Sequence, residues 1–460
     1  MNKIKFNGSR VHIIGIGGIH MSAIARLLKE RGLTITGSDL EETALTKDLK
    51  SEGITIFSQH DASNVSTADL VITTAAVKKN HIEITEAEKR GIPILRRSEA
   101  IAELIDGKKI IAIAGSHGKT STSTLIATIL KQSNFSPMYV LGGESQDLTK
   151  NSAWGSGIHC VVEADEYKRA FLDYEPDLEV ITNIDADHLD DYGSRENYYN
   201  AFLQFAKKLK SSGLILLCGD DKGTGQLLSE ITDTGLQYES YGFEETNTWV
   251  ARDLNLNHSG ARFELSGPSN FEHGLLEISV PGKHAVLNAL AAAAVSLHEG
   301  VQFSSIQKTL KQFHGVKRRF ELIGETKGIS VIDDYAHHPT EVQATLETTR
   351  MRYTNHRLIA IYQPHTYSRT AYLWENWLNC WKGLDKLIIL ETYAARELPN
   401  QGKTANELAD SITSTPTIYA ATEQEAIEHA IQETNENTVI LTIGAGNITN
   451  IAPKILEAIA

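Results

Sequence analysis

Short apolar, β-branched runs closed by polar, glycine-containing loops recur along the chain, and most are followed by a segment with apolar residues at helical spacing. Residues 11–14 (VHII) predict a strand, 15–22 a loop, 23–31 a helix and 33–36 a second strand ending at Gly37-Ser38-Asp39, which together make a βαβ unit. Strands at 70–74 and 93–95 and helices at 82–90 and from 96 onward continue it. The pattern restarts with a strand at 109–114 and a helix at 122–132, then strands at 158–162, 178–182 and 214–217 and a helix at 197–209. Runs at 239–242, 249–254, 261–265 and 275–280 predict a small antiparallel layer, and an Ala-rich helix follows at 289–298. Strands at 330–333, 358–362, 386–390 and 438–442 alternate with helices to the end. Such alternation predicts an α/β protein with parallel sheets. A polar junction at 106–108 and a basic hinge within 313–321 divide it into domains 1–106, 107–315 and 316–460.

The loops at strand ends carry the chemistry. Gly115-Ser116-His117-Gly118-Lys119-Thr120-Ser121 lies between a predicted strand and a predicted helix, the context of a phosphate-binding loop. Its glycines let backbone N–H groups face phosphate, and the helix N-terminus favours negative charge. Lys119 can reach β/γ-phosphates and the Thr120 hydroxyl can ligate Mg²⁺. The spacing is shorter than GxxxxGK[ST], so the loop is a variant, and the bland reading is a glycine turn before a helix. Two acidic clusters, 163–166 (EADE) and 183–190 (NIDADHLD), also follow strands, where ligands sit in open α/β sheets. Beside a triphosphate, Glu163 and His188 are the expected Mg²⁺ ligands; the alternative is that these acids cap the next helices. The Gly15-Ile16-Gly17-Gly18 turn and Asp39 come near a dinucleotide fingerprint, but His20 stands where the third glycine belongs. The turn suits a nucleotide diphosphate or is merely structural, and Arg96 and Arg97 read by default as a solvated face, with a phosphate contact as the alternative. His284 and Asn288, four apart on one helix face, can hydrogen-bond a nucleoside. Adjacent His337 and His338 point in different directions and do not share one zinc ion.

Composition narrows the partners. The chain has 460 residues, 41% of them apolar, and a net charge of −14. That acidity argues against nucleic acid and implies that an anionic substrate is held by local cations. Three well-separated cysteines fit a reducing compartment and neither a disulfide framework nor a metal knuckle. No signal-type apolar segment opens the sequence and no window nears 18 apolar residues, so a cytoplasmic protein that does not enter the membrane is expected.

Ten motifs in order — GIGGIHMS (15–22), GSD (37–39), GSHGKTS (115–121), EADE (163–166), TNIDADHLD (182–190), PGKHAVLN (281–288), GVKRRFE (315–321), DDYAHHPTE (333–341), QPHTYSR (363–369) and GAG (444–446) — resemble those of the Mur ligase family over the whole chain. The resemblance implies a three-domain α/β fold with a Rossmann-like N-terminal domain, a central P-loop ATPase-like domain and a C-terminal Rossmann-like domain. It implies an ATP- and Mg²⁺-dependent ligase of peptidoglycan precursor synthesis, joining L-alanine to the carboxylate of UDP-N-acetylmuramate through an acyl phosphate, as a monomer or homodimer. A related ligase adding a preformed peptide to the same sugar nucleotide is the alternative. By motif, Gly15, Gly17, Gly18, Ser38, Asp39 and Thr74 face the UDP-sugar. Gly115 to Ser121, His284, Asn288, Arg319 and Asp334 face ATP, and Thr120, Glu163 and His188 surround the metal. Tyr335, His337, His338 and Arg369 line the amino-acid side, and Lys119, His337, His338 and Arg369 are the implied catalytic set. His20, Ala285 and the Tyr167-Lys168-Arg169-Ala170 run depart from the family pattern. An oxidoreductase built on residues 11–39, or a nucleotide-regulated binding protein without turnover, are the readings outside this class.

Overall fold

The computed structural model describes Phe6 and residues 9–75, 77–395 and 397–460. Most of the N-terminal stretch read above for an apolar leader lies outside these residues. The chain packs as two units. One comprises Met1–Ile184, Asn200–Trp249 and Ala291–Thr309, the other Asp185–Tyr199, Val250–Leu290 and Leu310–Ala460.

The first unit holds two sheets. Strands β1 (Arg10–Ile14), β2 (Thr34–Ser38), β3 (Thr55–Phe57), β4 (Leu70–Thr73) and β5 (Ile94–Arg96) are all parallel, in the order β3-β2-β1-β4-β5. The order reverses at β1, so the loop after β1 opens at a switch point, the usual position of a ligand crevice. The helix after that loop is Ile19–Glu30, starting four residues earlier than the apolar spacing predicts because the glycine turn is completed by Gly18. The second sheet contains β6 (Lys109–Ala114), β7 (Met138–Val140), β8 (Ser152–Ala153), β9 (His159–Glu163), β10 (Leu178–Ile181), β11 (Leu214–Cys218) and β12 (Gln237–Gly242). Their order is β12-β11-β10-β6-β9-β7-β8, parallel except for β8. Its strands read as continuous apolar runs because helices cover both faces. The expected antiparallel layer is corrected at its first strand only. β12 is parallel to β11, since helix Lys222–Ile231 returns the chain between them.

Asn151 and its neighbours bind the two sheets of this unit together. Asn151 Nδ2 donates to the carbonyl of Ile19 at 2.7 Å, Arg26 Nη1 donates to Asn151 Oδ1 at 2.9 Å, and Ser152 Oγ donates to the Ala23 carbonyl at 3.3 Å.

In the second unit, β13 (Trp249–Asn257), β14 (Gly260–Ser266) and β15 (Gly274–Ile278) form an antiparallel meander. A separate sheet comprises β16 (Glu321–Thr326), β17 (Ile329–Asp334), β18 (Arg357–Tyr362), β19 (Lys386–Leu390), β20 (Thr417–Ala420) and β21 (Thr438–Ile443). Its order is β16-β17-β21-β18-β19-β20, with β16 alone antiparallel. Successive residues of its strands point to opposite faces. Ile332, Ala360, Leu387 and Leu441 pack with Trp377 and Trp381 on one side, and Val331, Ile361, Ile388 and Ile440 with Ile451 and Ile455 on the other. No helix among the described residues is long and apolar enough to cross a membrane. The three cysteines are buried and free.

Candidate active site

β6 is the central strand from which the second sheet runs both ways, and the loop 115–118 leaves its carboxyl end directly into helix Lys119–Gln132. Gly115 has φ +130°, and a Cβ there would lie 2.0 Å from Thr182 Oγ1, so only glycine fits. Gly118, at φ +81°, turns the chain into the helix. Residues at the end of β10 pin the loop. Thr182 Oγ1 and Asn183 Nδ2 donate to the His117 carbonyl at 2.5 and 3.0 Å, and Asn183 Oδ1 accepts from the His117 N–H at 2.8 Å. Lys119 folds back on this frame. Its ammonium donates to the carbonyls of Gly115 and Ser116 at 2.5 and 3.0 Å and pairs with Glu166 at 2.8 Å.

Glu163 ends β9, the neighbour of β6, and is buried, with Oε2 accepting from the Gly142 N–H at 3.0 Å. Thr120 is buried in the first helical turn. Beyond Glu163, Asp165 accepts from Arg97 Nη2 at 2.6 Å, and Arg97 Nη1 lies 3.3 Å from Nδ1 of the buried His20. Arg97 is therefore not on a solvated face; it starts helix Arg97–Ile105 and turns inward to this carboxylate. Burial works against both charges, yet Arg97, Lys119 and His20 hold Asp165 below the usual carboxylate range. Burial likewise opposes the Lys119 charge, but Glu166, Asp165 and Glu163 raise its pKa. Burial, seconded by Arg97, lowers that of His20.

The turn after β1 gathers the other residues singled out in the first sheet. The amides of Gly15 and Ile16 donate to the Ser38 carbonyl at 2.8 and 3.2 Å, and the Gly17 amide donates to Asp39 Oδ2 at 2.8 Å. Gly15 has φ +73°, and a Cβ there would meet Thr74 Cγ2 at 3.3 Å. Gly18 precedes the first helical residue.

The second unit assembles a different group at the carboxyl ends of β17 and β18. Asp334 accepts from the Ala336 N–H at 3.0 Å and from Thr345 Oγ1 at 2.8 Å. Burial pushes its pKa up to about 6 against the pull of Arg319. His338 caps helix Pro339–Arg352 through Nδ1, which accepts from the Thr340 N–H at 3.3 Å. His337 turns the other way, with Nδ1 3.1 Å from the Tyr335 carbonyl, so the adjacent histidines have different partners, as their spacing predicts. Burial lowers the His337 pKa to about 3, Glu341 opposing and Arg369 reinforcing, and burial with Arg319 lowers that of His284 to about 4. Arg319 and Arg318 stack on the Tyr335 ring at 4.9 and 4.7 Å. Asn288 is buried one turn beyond His284 on helix Lys283–His298.

Three residues of this group were not picked out from sequence as functional. Asp187 accepts from Arg369 Nε and Nη2 at 3.1 and 3.3 Å, and its Oδ2 is 3.8 Å from Nε2 of His188. His365 Nδ1 lies 3.0 Å from Arg369 Nη1. Glu341 accepts from the His337 and His338 amides at 2.9 and 3.3 Å. Their signal was membership of the TNIDADHLD, QPHTYSR and DDYAHHPTE motifs, where neighbouring residues drew the assignment. Of the expected metal ligands, Thr120 and Glu163 belong to the first unit and His188 to the second.

Three family models match in succession: "Mur ligase family, catalytic domain" over residues 10–109, "Mur ligase middle domain" over 113–296 and "Mur ligase, glutamate ligase domain" over 318–446. A UDP-N-acetylmuramate–L-alanine ligase of Caldanaerobacter subterraneus is 39% identical over 97% of each chain. One of a Geobacter species is 38% identical over 97% of each. The crystal structure of the UDP-N-acetylmuramate–alanine ligase of Thermotoga maritima superposes with a TM-score of 0.83 at 30% identity, covering 98% of this chain and 99% of that one. A murein peptide ligase of Psychrobacter arcticus gives 0.77 at 25% identity, covering 98% of both chains. Matched from end to end in sequence and in fold, the chain belongs to the Mur ligase family.

Proposed function

We propose that this protein is an ATP-dependent ligase joining L-alanine to the carboxylate of UDP-N-acetylmuramate, through an acyl phosphate, in peptidoglycan precursor synthesis. The observation that carries the reading is the pinned 115–121 loop with Lys119 among the strand-end acids, in a chain 36–39% identical to alanine ligases over nearly its full length. The peptide-adding alternative is less favoured, since the murein peptide ligase is the more distant of the two structures described. The reading goes with work in the cytoplasm on small molecules, as a monomer or homodimer, and with domain boundaries at 106 and 315.

Bringing a carboxylate to a γ-phosphate opposes like charges, at a cost of roughly 5 kcal/mol for one pair at ~3.5 Å and an effective dielectric of ~20. Lys119 is held by the Gly115 and Ser116 carbonyls of the loop and supplies one offsetting charge once it leaves Glu166. Thr120 and Glu163 are hard oxygen donors that fit Mg²⁺, with His188 as the third proposed ligand. Mg²⁺ bound there neutralises phosphate charge. His284, Asn288, Arg319 and Asp334 are assigned to the nucleotide, and Gly15, Gly17, Gly18, Ser38, Asp39 and Thr74 to the sugar nucleotide. Tyr335, His337, His338 and Arg369 face the amino acid. Between the two histidines, hydrogen bonding favours His337 as the acceptor of the amine proton. Its Nδ1 faces a carbonyl and so carries the hydrogen, which leaves a lone pair on Nε2, whereas Nδ1 of His338 is engaged by the helix cap.

A phosphate-release panel tests the function. Release should require ATP, Mg²⁺, UDP-N-acetylmuramate and L-alanine together, and release indifferent to the sugar nucleotide would refute it.

A further inference from the structure

A second polar cluster lies at the carboxyl edge of the first sheet, around one glutamate and three histidines to which the proposed reaction gives no role. Glu83, in the first turn of helix Ile82–Lys89, is fully buried. Its carboxylate accepts from Ser38 Oγ at 2.7 Å and Asn64 Nδ2 at 2.6 Å, and three imidazoles surround it. Nδ1 of His60 lies 3.3 Å from Oε2, Nδ1 of His81 4.0 Å from Oε2, and Nε2 of His12 3.7 Å from Oε1. No lysine or arginine among the described residues pairs with it. A carboxylate buried among neutral donors and imidazoles lacks the full positive charge that normally accompanies it.

The nitrogens are disposed to hold that charge as an ion. Nδ1 of His81 accepts from the Glu83 N–H at 3.3 Å, so this atom bears a lone pair, which an ion would take over from the helix cap. One ring nitrogen each of His60 and His81 and a Glu83 oxygen lie within 4.8 Å of one another. Ligands on a tetrahedron with bonds of about 2.1 Å stand about 3.4 Å apart, so the His60–Glu83 pair is already at that spacing and the His81–Glu83 pair has to close by about 0.6 Å. His60 and His81 keep 21% and 17% of their side chains exposed, which gives an ion a way in. Behind the carboxylate, His12 is oriented by Thr36 Oγ1 at 2.9 Å and Asn64 holds the second oxygen, as outer supports of a metal ligand do.

We propose that Glu83, His60 and His81 form a binding site for a zinc-class divalent ion, separate from the Mg²⁺ of the reaction. Two imidazoles and one carboxylate select zinc, cobalt or nickel over the all-oxygen preference of Mg²⁺. A water completes the shell.

The test uses the full chain, stripped with a chelator and titrated with Zn²⁺ by calorimetry in excess Mg²⁺, and with Co²⁺ by visible absorption. His81→Asn keeps a capping acceptor for the helix and removes the imidazole. The wild type should take up one equivalent of Zn²⁺ more than His81→Asn, show a tetrahedral Co²⁺ band that the variant lacks, and gain thermal stability with Zn²⁺ where the variant does not. Equal stoichiometry and affinity in the two proteins, each with the unfolding temperature of the metal-free wild type, would overturn the site. If His81→Asn unfolds early, His60→Gln replaces it with the same expectation.

Discussion

Three acceptors share the Lys119 ammonium, so its charge is satisfied before any phosphate arrives. Lys119→Ala should lower turnover by at least about a hundredfold, the scale of losing one transition-state donor, while leaving circular dichroism unchanged. Phosphate release at the wild-type rate would remove the loop from the active site. Glu179 in β10 behaves in the opposite way. It is fully buried, neither carboxyl oxygen has a hydrogen-bond partner among the described residues, and burial raises its pKa well above the ordinary value. The folded state therefore binds this proton more tightly than the unfolded chain does. Its stabilising effect is complete below the ordinary glutamate value and is lost as pH rises through the raised one. Glu179→Met should flatten that decline and raise the unfolding temperature at pH 8; an unchanged or steeper decline in a melting series from pH 5 to 8 would count against it. At this scale the loop and its lysine were legible because a local motif specifies them. Arg97 was not, because its partner Asp165 lies 68 positions away and no neighbour in sequence announces it. Glu179 was hidden too, since one acid in an apolar run reads as an ordinary strand position.

Among elements, the loop between β6 and its helix depends on one missing methyl group. Gly115→Ala places a Cβ 2.0 Å from Thr182 Oγ1 at a φ of +130°, so both sterics and backbone oppose it. We expect a loss of about 2–4 kcal/mol in chemical denaturation, together with loss of the thermal shift given by ADP. A variant as stable as the wild type that still responds to ADP would contradict this account. The long strands β6, β9, β10, β17, β18 and β21 were visible as apolar runs bounded by glycine or acid. Strands β7 and β8, three and two residues long, were not read from the pattern. β12 misled for another reason: its direction is set by the helix that precedes it and not by its own residues.

Across the whole molecule, the proposed boundary at 106 divides sequence but not the first unit. Arg26, nearly buried, ties helix Ile19–Glu30 to Glu52 at 3.0 Å and to Asn151 at 2.9 Å. Arg26→Ala should cost about 2–3 kcal/mol, as for a broken buried pair, with Lys150 still attached to Glu52. By hydrogen exchange, the amides of β1 and β6 should lose protection together; loss at β1 alone would mean that the first sheet opens by itself. Three α/β sheets were legible from the alternation of patterns. The two-unit packing was not, because it depends on contacts such as Asn151 with Ile19, 132 positions apart in the chain, which no local period announces.

The grip of the loop on Lys119 has a further consequence for discrimination among anions. Any anion that recruits this lysine has to replace three contacts at once. On the proposed assignment of the loop to ATP, a polyphosphate offers the ammonium more acceptor oxygens than orthophosphate does, so the exchange favours the nucleotide over free phosphate.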